Sequence, residues 1–318
     1  MENIIGAEAP KPLALRHEKE ITAAWGAGCQ PTVSVLCATY NHARFIEDAI
    51  CGFLAQDTKF PFEVIIRDDA STDGTAEIVA KYARQYSSII RPIFEEKNSY
   101  SKTSPLPVMM SVAKGEFFAL CEGDDYWIDP KKLEKQVSVM EKRKEISLLT
   151  TMSFNVSNNI IESIHKTGGT RTYMFRRDFN YPTARQQYIY YGDTALKRLL
   201  GARGAIVTLP FISAVYRQHS GGVHSGIAGK DERLIAFRQG ATKFWLVENF
   251  LDQNERLRAK VCLADAVNTI ISGYEELNSD VKRRLIVTWV LGPEATKILV
   301  KMKFFIFKLA RLVRPQKF

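Results

Sequence analysis

From Thr32 the chain alternates short runs of consecutive apolar residues with longer stretches in which apolar residues recur every three or four positions. TVSVLCA (32–38) is a β-branched apolar run, TYNHARF (39–45) a turn, and FIEDAICGFLAQ (45–56) carries its apolar residues at helical spacing. FEVIIR (62–67) repeats the strand, DDASTDG (68–74) the turn, and TAEIVAKYARQY (75–86) the helix. SIIRPIF (88–94), a short helix near Val108 to Ala113 and the strand EFFALC (116–121) follow, ending on EGDDYW (122–127). Strand and helix in alternation predict βαβ units around a mainly parallel sheet, and runs apolar on both faces suit a sheet covered on both sides. In such sheets ligands bind beyond the carboxyl ends of the strands. Thr39, Tyr40 and Asn41, then Asp68 and Asp69, then Asp124 and Asp125 all fall at those ends.

Beyond a helix over 129–145, which Pro130 begins, the pattern loosens. SLLTTMSFNV (147–156) and TYMFRR (172–177) read as strands, GDTALKRLLGARG (192–204) as a short helix ending at glycine, and AIVTLPFISAVYRQHSGG (205–222) as a pair of extended segments. A mixed arm over 1–31, with helix around Arg16 to Trp25, precedes the repeat, and a mostly helical region occupies 226–318.

Charge changes the picture only at one end. The net charge is +9, and residues 281–318 hold ten Lys or Arg against one acid, Glu294. The other 280 residues carry 34 basic and 34 acidic groups, so the body has no basic footprint for nucleic acid. The segment 297–313, KILVKMKFFIFKLARLV, sets Lys297, Lys301, Lys308 and Arg311 close to one helix face beside a broad apolar surface. That pattern suits an anionic membrane surface, or equally a helix docked on its own domain. Five cysteines without CxxC spacing read as reduced thiols and a cytosolic chain. No signal peptide and no membrane span is expected.

Several carboxylates at one edge, without a Cys or His cluster, favour a hard cation, Mg²⁺ or Mn²⁺, that shares its shell with substrate phosphates. TVSVLCATYN, FEVIIRDDASTDGT and KGEFFALCEGDDYWIDPKKLEKQ, in this order, resemble the nucleotide-binding half of family 2 glycosyltransferases, and YYGDTALKRL and VYRQHSGG resemble that family's acceptor half. The resemblance implies a GT-A-type, Rossmann-like mainly parallel sheet flanked by helices over 32–225, divided into a nucleotide-sugar half (32–145) and an acceptor half (146–225). It implies inverting transfer from a UDP, GDP or dTDP sugar to a glycan or lipid-linked acceptor. Ala38, Thr39 and Tyr40 would line base and ribose, with Asp69, beside Asp68, on the base. Asp124 and Asp125 would form the metal-diphosphate motif with Asp125 the metal contact, His219 would complete the metal site, and Asp193 would be the catalytic base.

Each residue also has a plainer reading. Asp68, Asp69 and Asp73 could shape a turn and cap the helix at Thr75. Asp124 and Asp125 could be a solvated turn, Asp193 an N-cap, His219 a loop histidine, and Arg176 and Arg177 surface charges. TGGTRT (167–172) is similar to the glycine-rich loop of sugar nucleotidyltransferases, but that loop follows the first strand, where this chain has ATYNHARF. The match reads as accidental. A sugar nucleotidyltransferase and a non-catalytic nucleotide-sugar or glycan-binding protein of the same fold stand as the alternatives.

Overall fold

The computed structural model describes residues 4–26, 28–99, 104–182 and 192–221. The helical region expected over 226–318 and its basic segment lie outside the described residues. The elements run α1 (Glu18–Thr22), β1 (Val33–Thr39), α2 (Ile46–Leu54), β2 (Phe62–Asp68), α3 (Thr75–Gln85), β3 (Ile90–Phe94), α4 (Pro105–Val112) and β4 (Phe117–Leu120). There follow β5 (Tyr126–Trp127), α5 (Lys132–Lys142), β6 (Ile146–Ser157), β7 (Ile160–His165), a 3-10 turn (Thr170–Thr172), β8 (Met174–Arg176), α6 (Gly192–Gly201) and β9 (Ala205–Gln218).

The strands form one sheet in the order β3-β2-β1-β4-β8-β6-β9-β5, with β7 paired to β6. Its first half is parallel throughout: β1 lies between β2 and β4, and β2 pairs β3. The second half is mixed, since β8 runs antiparallel to both β4 and β6 while β9 runs parallel to β6. Every residue of β2 is buried, as a central strand covered on both faces requires. The covers come from amphipathic helices: α2 turns Ile46, Ala49, Ile50, Phe53 and Leu54 inward, and α5 turns Leu133, Val137 and Met140 inward. Phe53 meets Trp127 edge to face with centroids 4.9 Å apart. Strand order reverses at β1, with β2 and β3 on one side and β4 on the other. The ends of β1 and β4 therefore open a crevice between them.

Three details differ from the sequence reading. The segment after Gly204 is one strand, not two; its register shifts where Thr151 faces Leu209 and Met152 faces Ile212, so Pro210, which has no N–H to give, falls in a bulge. Asn158 and Asn159, with φ of 48° and 63°, make a tight hairpin turn that creates β7. α4 starts three residues earlier than expected, at Pro105 behind the capping Ser104.

The arm before β1 is fastened down. Gly6 N–H donates to Ile161 O (2.8 Å), Ile161 N–H to Ala7 O (2.9 Å), and Ala9 N–H to Asn159 O (2.9 Å), so the arm extends the β6–β7 hairpin. The Tyr126 hydroxyl donates to Pro10 O (2.6 Å), and the Tyr86 hydroxyl to Arg16 O (3.0 Å). Ala9 joins Tyr126, Phe154, Val156, Ile161 and Val215 in a separate apolar cluster.

Candidate active site

The crevice is assembled by three loops. After β1, Asn41 takes φ of 53°, and its N–H donates to Ser71 Oγ (2.9 Å) while its side-chain oxygen accepts from Thr72 N–H (2.8 Å). His42 N–H donates to Thr75 Oγ1 and Ala43 N–H to Asp73 Oδ2, both at 2.9 Å. The first two loops thus lock together. The third, after β4, lies directly on the first: Gly123 N–H donates to Ala38 O (3.0 Å), and a Cβ at Gly123 would stand 2.6 Å from Thr39 Oγ1. Only glycine allows that approach.

The carboxylate of Asp68 accepts from Ser71 N–H (2.9 Å) and Ser71 Oγ and so shapes the turn. Asp69 accepts from Arg67 Nη2 (2.9 Å), Ser99 Oγ (2.8 Å) and Ser99 N–H (3.1 Å), at the rim of the same crevice. Ala38, buried Thr39 and Tyr40, which is 42% exposed, follow one another at the end of β1.

The two adjacent aspartates point to different surroundings. Asp124 keeps 17% of its side chain exposed; its Oδ2 lies 3.1 Å from His219 Nε2 and 3.6 Å from His42 Nε2. Burial works against its ionisation, but the hydrogen bond from His219 and the charges of His42 and His219 prevail and hold its pKa below the usual carboxylate value. Asp125 is turned inward, with 3% of its side chain exposed. Its Oδ1 accepts from Arg217 N–H (2.9 Å), and Oδ2 lies 3.8 Å from Arg171 Nη1. Burial pushes its pKa well above the usual value; Arg171 opposes this, and the charges of Asp124 and Glu122 add to it. Glu122 is likewise raised by burial, although a hydrogen bond from the Thr170 side chain works the other way. The geometry therefore sets the two apart: the more exposed carboxylate, beside His219, is that of Asp124, and Asp125 is held inward between Arg217 N–H and Arg171.

Sequence reasoning missed the partners that make this possible. Arg217 pairs with Asp48, donates to Asp124 O (3.1 Å), and lies 4.1 Å from the Tyr126 ring centre and 5.4 Å from that of Phe45. Arg171 donates to Ser153 Oγ (3.0 Å) and stacks over Tyr216 at 4.3 Å. It is delivered by TGGTRT, where Gly168 takes φ of +56° and a Cβ would stand 2.3 Å from Thr151 O. The paired glycines were the available signal. Asp193 stands exposed in the first turn of α6. The hydroxyls of Tyr173 and Tyr181 are held protonated by burial first and by the Asp193 charge second or later, Tyr181 being pushed up to about 12. Tyr173 also feels Glu122, so it lies within electrostatic reach of both Asp193 and the acidic loop.

No group of three or more His, Cys, Asp or Glu among the described residues forms a ready-made metal cage. One ionised carboxylate beside an imidazole, at the mouth of a crevice, fits a hard divalent cation that takes the rest of its shell from water and phosphate oxygens.

The family model for glycosyl transferase family 2 matches residues 34–200. An uncharacterized protein of Mycobacterium tuberculosis is 33% identical over 281 residues, covering 81% of this chain and 74% of its own length. Among solved structures, residues 1–349 of TarS from Staphylococcus aureus, in complex with UDP-GlcNAc, superpose with a TM-score of 0.54 at 19% identity, covering 84% of this chain and 83% of that one. A mannosyltransferase of Pyrobaculum calidifontis, in complex with GDP-Man and Mn²⁺, does so with a TM-score of 0.50 at 17% identity, covering 95% and 89%. These likenesses establish a GT-A-type fold.

Proposed function

The chain belongs to glycosyltransferase family 2, and from that premise we propose that it is an inverting enzyme that moves a sugar from a nucleotide-sugar donor to a hydroxyl of a glycan or lipid-linked acceptor. The observation that carries this reading is the meeting of Asp124 with His219 at the strand ends, in the loop whose Glu122, like Asp193, acts electrostatically on Tyr173. Ala38, Thr39, Tyr40 and Asp69 hold the base and ribose. Asp124 with His219 would hold Mg²⁺ or Mn²⁺, which when bound would offset the diphosphate charge as a Lewis acid. Asp125 keeps the loop in register through Arg217 and Arg171 and does not touch the cation.

Asp193 accepts the proton of the acceptor hydroxyl as that oxygen attacks the anomeric carbon from the face opposite the diphosphate. Its exposure leaves it open to an incoming acceptor. Buried Tyr173 and the packed 3-10 turn wall the site, and the fixed positions of both reactants supply much of the rate. The donor is a UDP, GDP or dTDP sugar, in line with the UDP-GlcNAc and GDP-Man bound by the two structural relatives. TarS is named a poly(ribitol-phosphate) beta-N-acetylglucosaminyltransferase, and we place this chain in cell-surface polysaccharide assembly at the cytoplasmic side of a membrane. No helix among the described residues is long and apolar enough to cross one; the contact would be made by 297–313.

A screen of UDP, GDP and dTDP sugars with Mn²⁺ tests the donor. Asp193→Asn should abolish transfer and retain nucleotide binding; unchanged turnover would remove Asp193 from the mechanism. Release of pyrophosphate from a sugar phosphate and a nucleoside triphosphate would point to nucleotidyl transfer instead.

A further inference from the structure

Between β1 and α2 the imidazole of His42 is fixed in place while neither of its nitrogens makes a hydrogen bond among the described residues, Nε2 standing only in ion-pair range of Asp124. Its backbone is tied to Thr75, and its ring stands edge-on to Phe45 and to His219, with centroids 6.5 Å and 6.2 Å away. The side chain is 15% exposed. Nδ1 is buried without a hydrogen-bond partner among the described residues, and Nε2 lies 3.6 Å from Asp124 Oδ2, too far for a hydrogen bond. A ring held this firmly with no hydrogen bond at either nitrogen among the described residues costs stability, which is expected where a ligand supplies a partner.

Three arginines of the nearby loops and strands are already engaged. Arg217 is held by Asp48 and Asp124 O, Arg171 by Ser153 and Asp125, and Arg67 by Asp69 and Glu95. His219 is bonded to Asp124. His42 has a donor to spare at the point where Asp124 faces the crevice. We propose that His42 is a direct contact of the donor's diphosphate, its Nε2–H donating to a phosphate oxygen seated beside Asp124. The inference rests on the reading of this crevice as a nucleotide-sugar site.

The test is calorimetric titration of the full chain with UDP and UMP, and in parallel GDP and GMP, in the presence of Mn²⁺. Wild type should bind the diphosphate of its preferred base more tightly than the monophosphate. His42→Ala and His42→Phe, neither of which carries a donor, should lose about tenfold in diphosphate affinity while monophosphate affinity is kept. His42→Gln, whose amide nitrogen reaches near the Nε2 position, should recover part of the loss. Equal losses for both nucleotides would mean a scaffold role and overturn the proposal, as would no loss for either. A fall in Mn²⁺ affinity measured without nucleotide would overturn it in favour of direct metal ligation. A wild-type chain that binds none of the four nucleotides removes the nucleotide-sugar reading and this inference with it, whereas wild-type preference for the diphosphate that survives in His42→Ala removes the inference alone.

Discussion

Gly123→Ala adds a single methyl group and should cost both stability and rate. The new Cβ would stand 2.6 Å from Thr39 Oγ1, 2.8 Å from Thr39 Cβ and 2.9 Å from Ile46 Cδ1, where ordinary contact begins at 3.4 Å. Ile46 is wholly buried, so its side-chain end has little room to turn away. Thr39 is β-branched, with a restricted rotamer, and its strand is fixed by the pairing of Thr39 with Asp68. The loop must therefore lift by several tenths of an ångström. Lifting loosens the Gly123 N–H to Ala38 O bond, worth about 1 kcal/mol, and overpacking adds about 1–3 kcal/mol, a total of roughly 2–4 kcal/mol. The same movement displaces Asp124 from His219, and misplacement approaching 1 Å costs on the order of 100-fold in rate. Urea denaturation and Mn²⁺-dependent transfer measure the two effects. Adding Thr39→Ala removes the 2.6 Å contact and leaves the 2.8 Å one, so it should restore stability only in part. A denaturation midpoint and kcat/KM unchanged from wild type in Gly123→Ala would refute the reasoning.

Further outcomes concern other parts of the molecule. Asp124→Asn should lower Mn²⁺ affinity by about tenfold or more, whereas Asp125→Asn should leave it little changed, because burial already favours the protonated form of Asp125; Mn²⁺ titration followed by electron paramagnetic resonance distinguishes them. Lys132 is fully buried, its ammonium 4.1 Å from the Trp127 ring centre and bonded to Gln136 Oε1, and burial lowers its pKa to about 7 from 10.5. Above that value the unfolded chain holds a proton that the folded chain has released, so stability should rise with pH from about 7 to about 10 by at most about 1.4 kcal/mol per unit, and be lost as pH falls back to 7. Lys132→Met should flatten that slope in denaturation curves taken across the window. Tyr126→Phe removes the 2.6 Å bond to Pro10 O and should cost about 0.5–1.5 kcal/mol, with faster proteolysis of residues 4–10 as the local readout.

The parallel half of the sheet was legible in the chain because β1, β2 and β4 are buried on both faces and the helices on one, which leaves two different apolar periods in the sequence. β5 was not legible, since two residues have no period. β7 was overlooked although Asn158–Asn159 is a recognisable hairpin turn. The site divides in the same way. Asp124 and Asp125 were found as a pair because a charged doublet after a buried strand is unusual, but adjacent residues on an extended loop face opposite ways. Which one faces inward depends on Arg171 and Arg217, residues 46 and 92 positions further along the chain that only the folded sheet brings back. His42 was read as part of a turn, because an isolated histidine carries no signal until Asp124 and His219 are seen around it.

The fastening of residues 6–10 sets an order on how the chain can acquire its structure. Gly6 and Ala9 bond to Ile161 and Asn159, and Pro10 to Tyr126. While the chain is being synthesised the arm meets its first partner, Tyr126, 116 residues after Pro10, and its strand partners Asn159 and Ile161 only when about 150 residues have followed it, an interval of roughly 8–30 s at ordinary elongation rates. The first βαβ units, whose contacts are local, can form within that interval. The arm therefore closes after those units, so lesions in it should lower the yield of finished protein more than they disturb the early steps of folding.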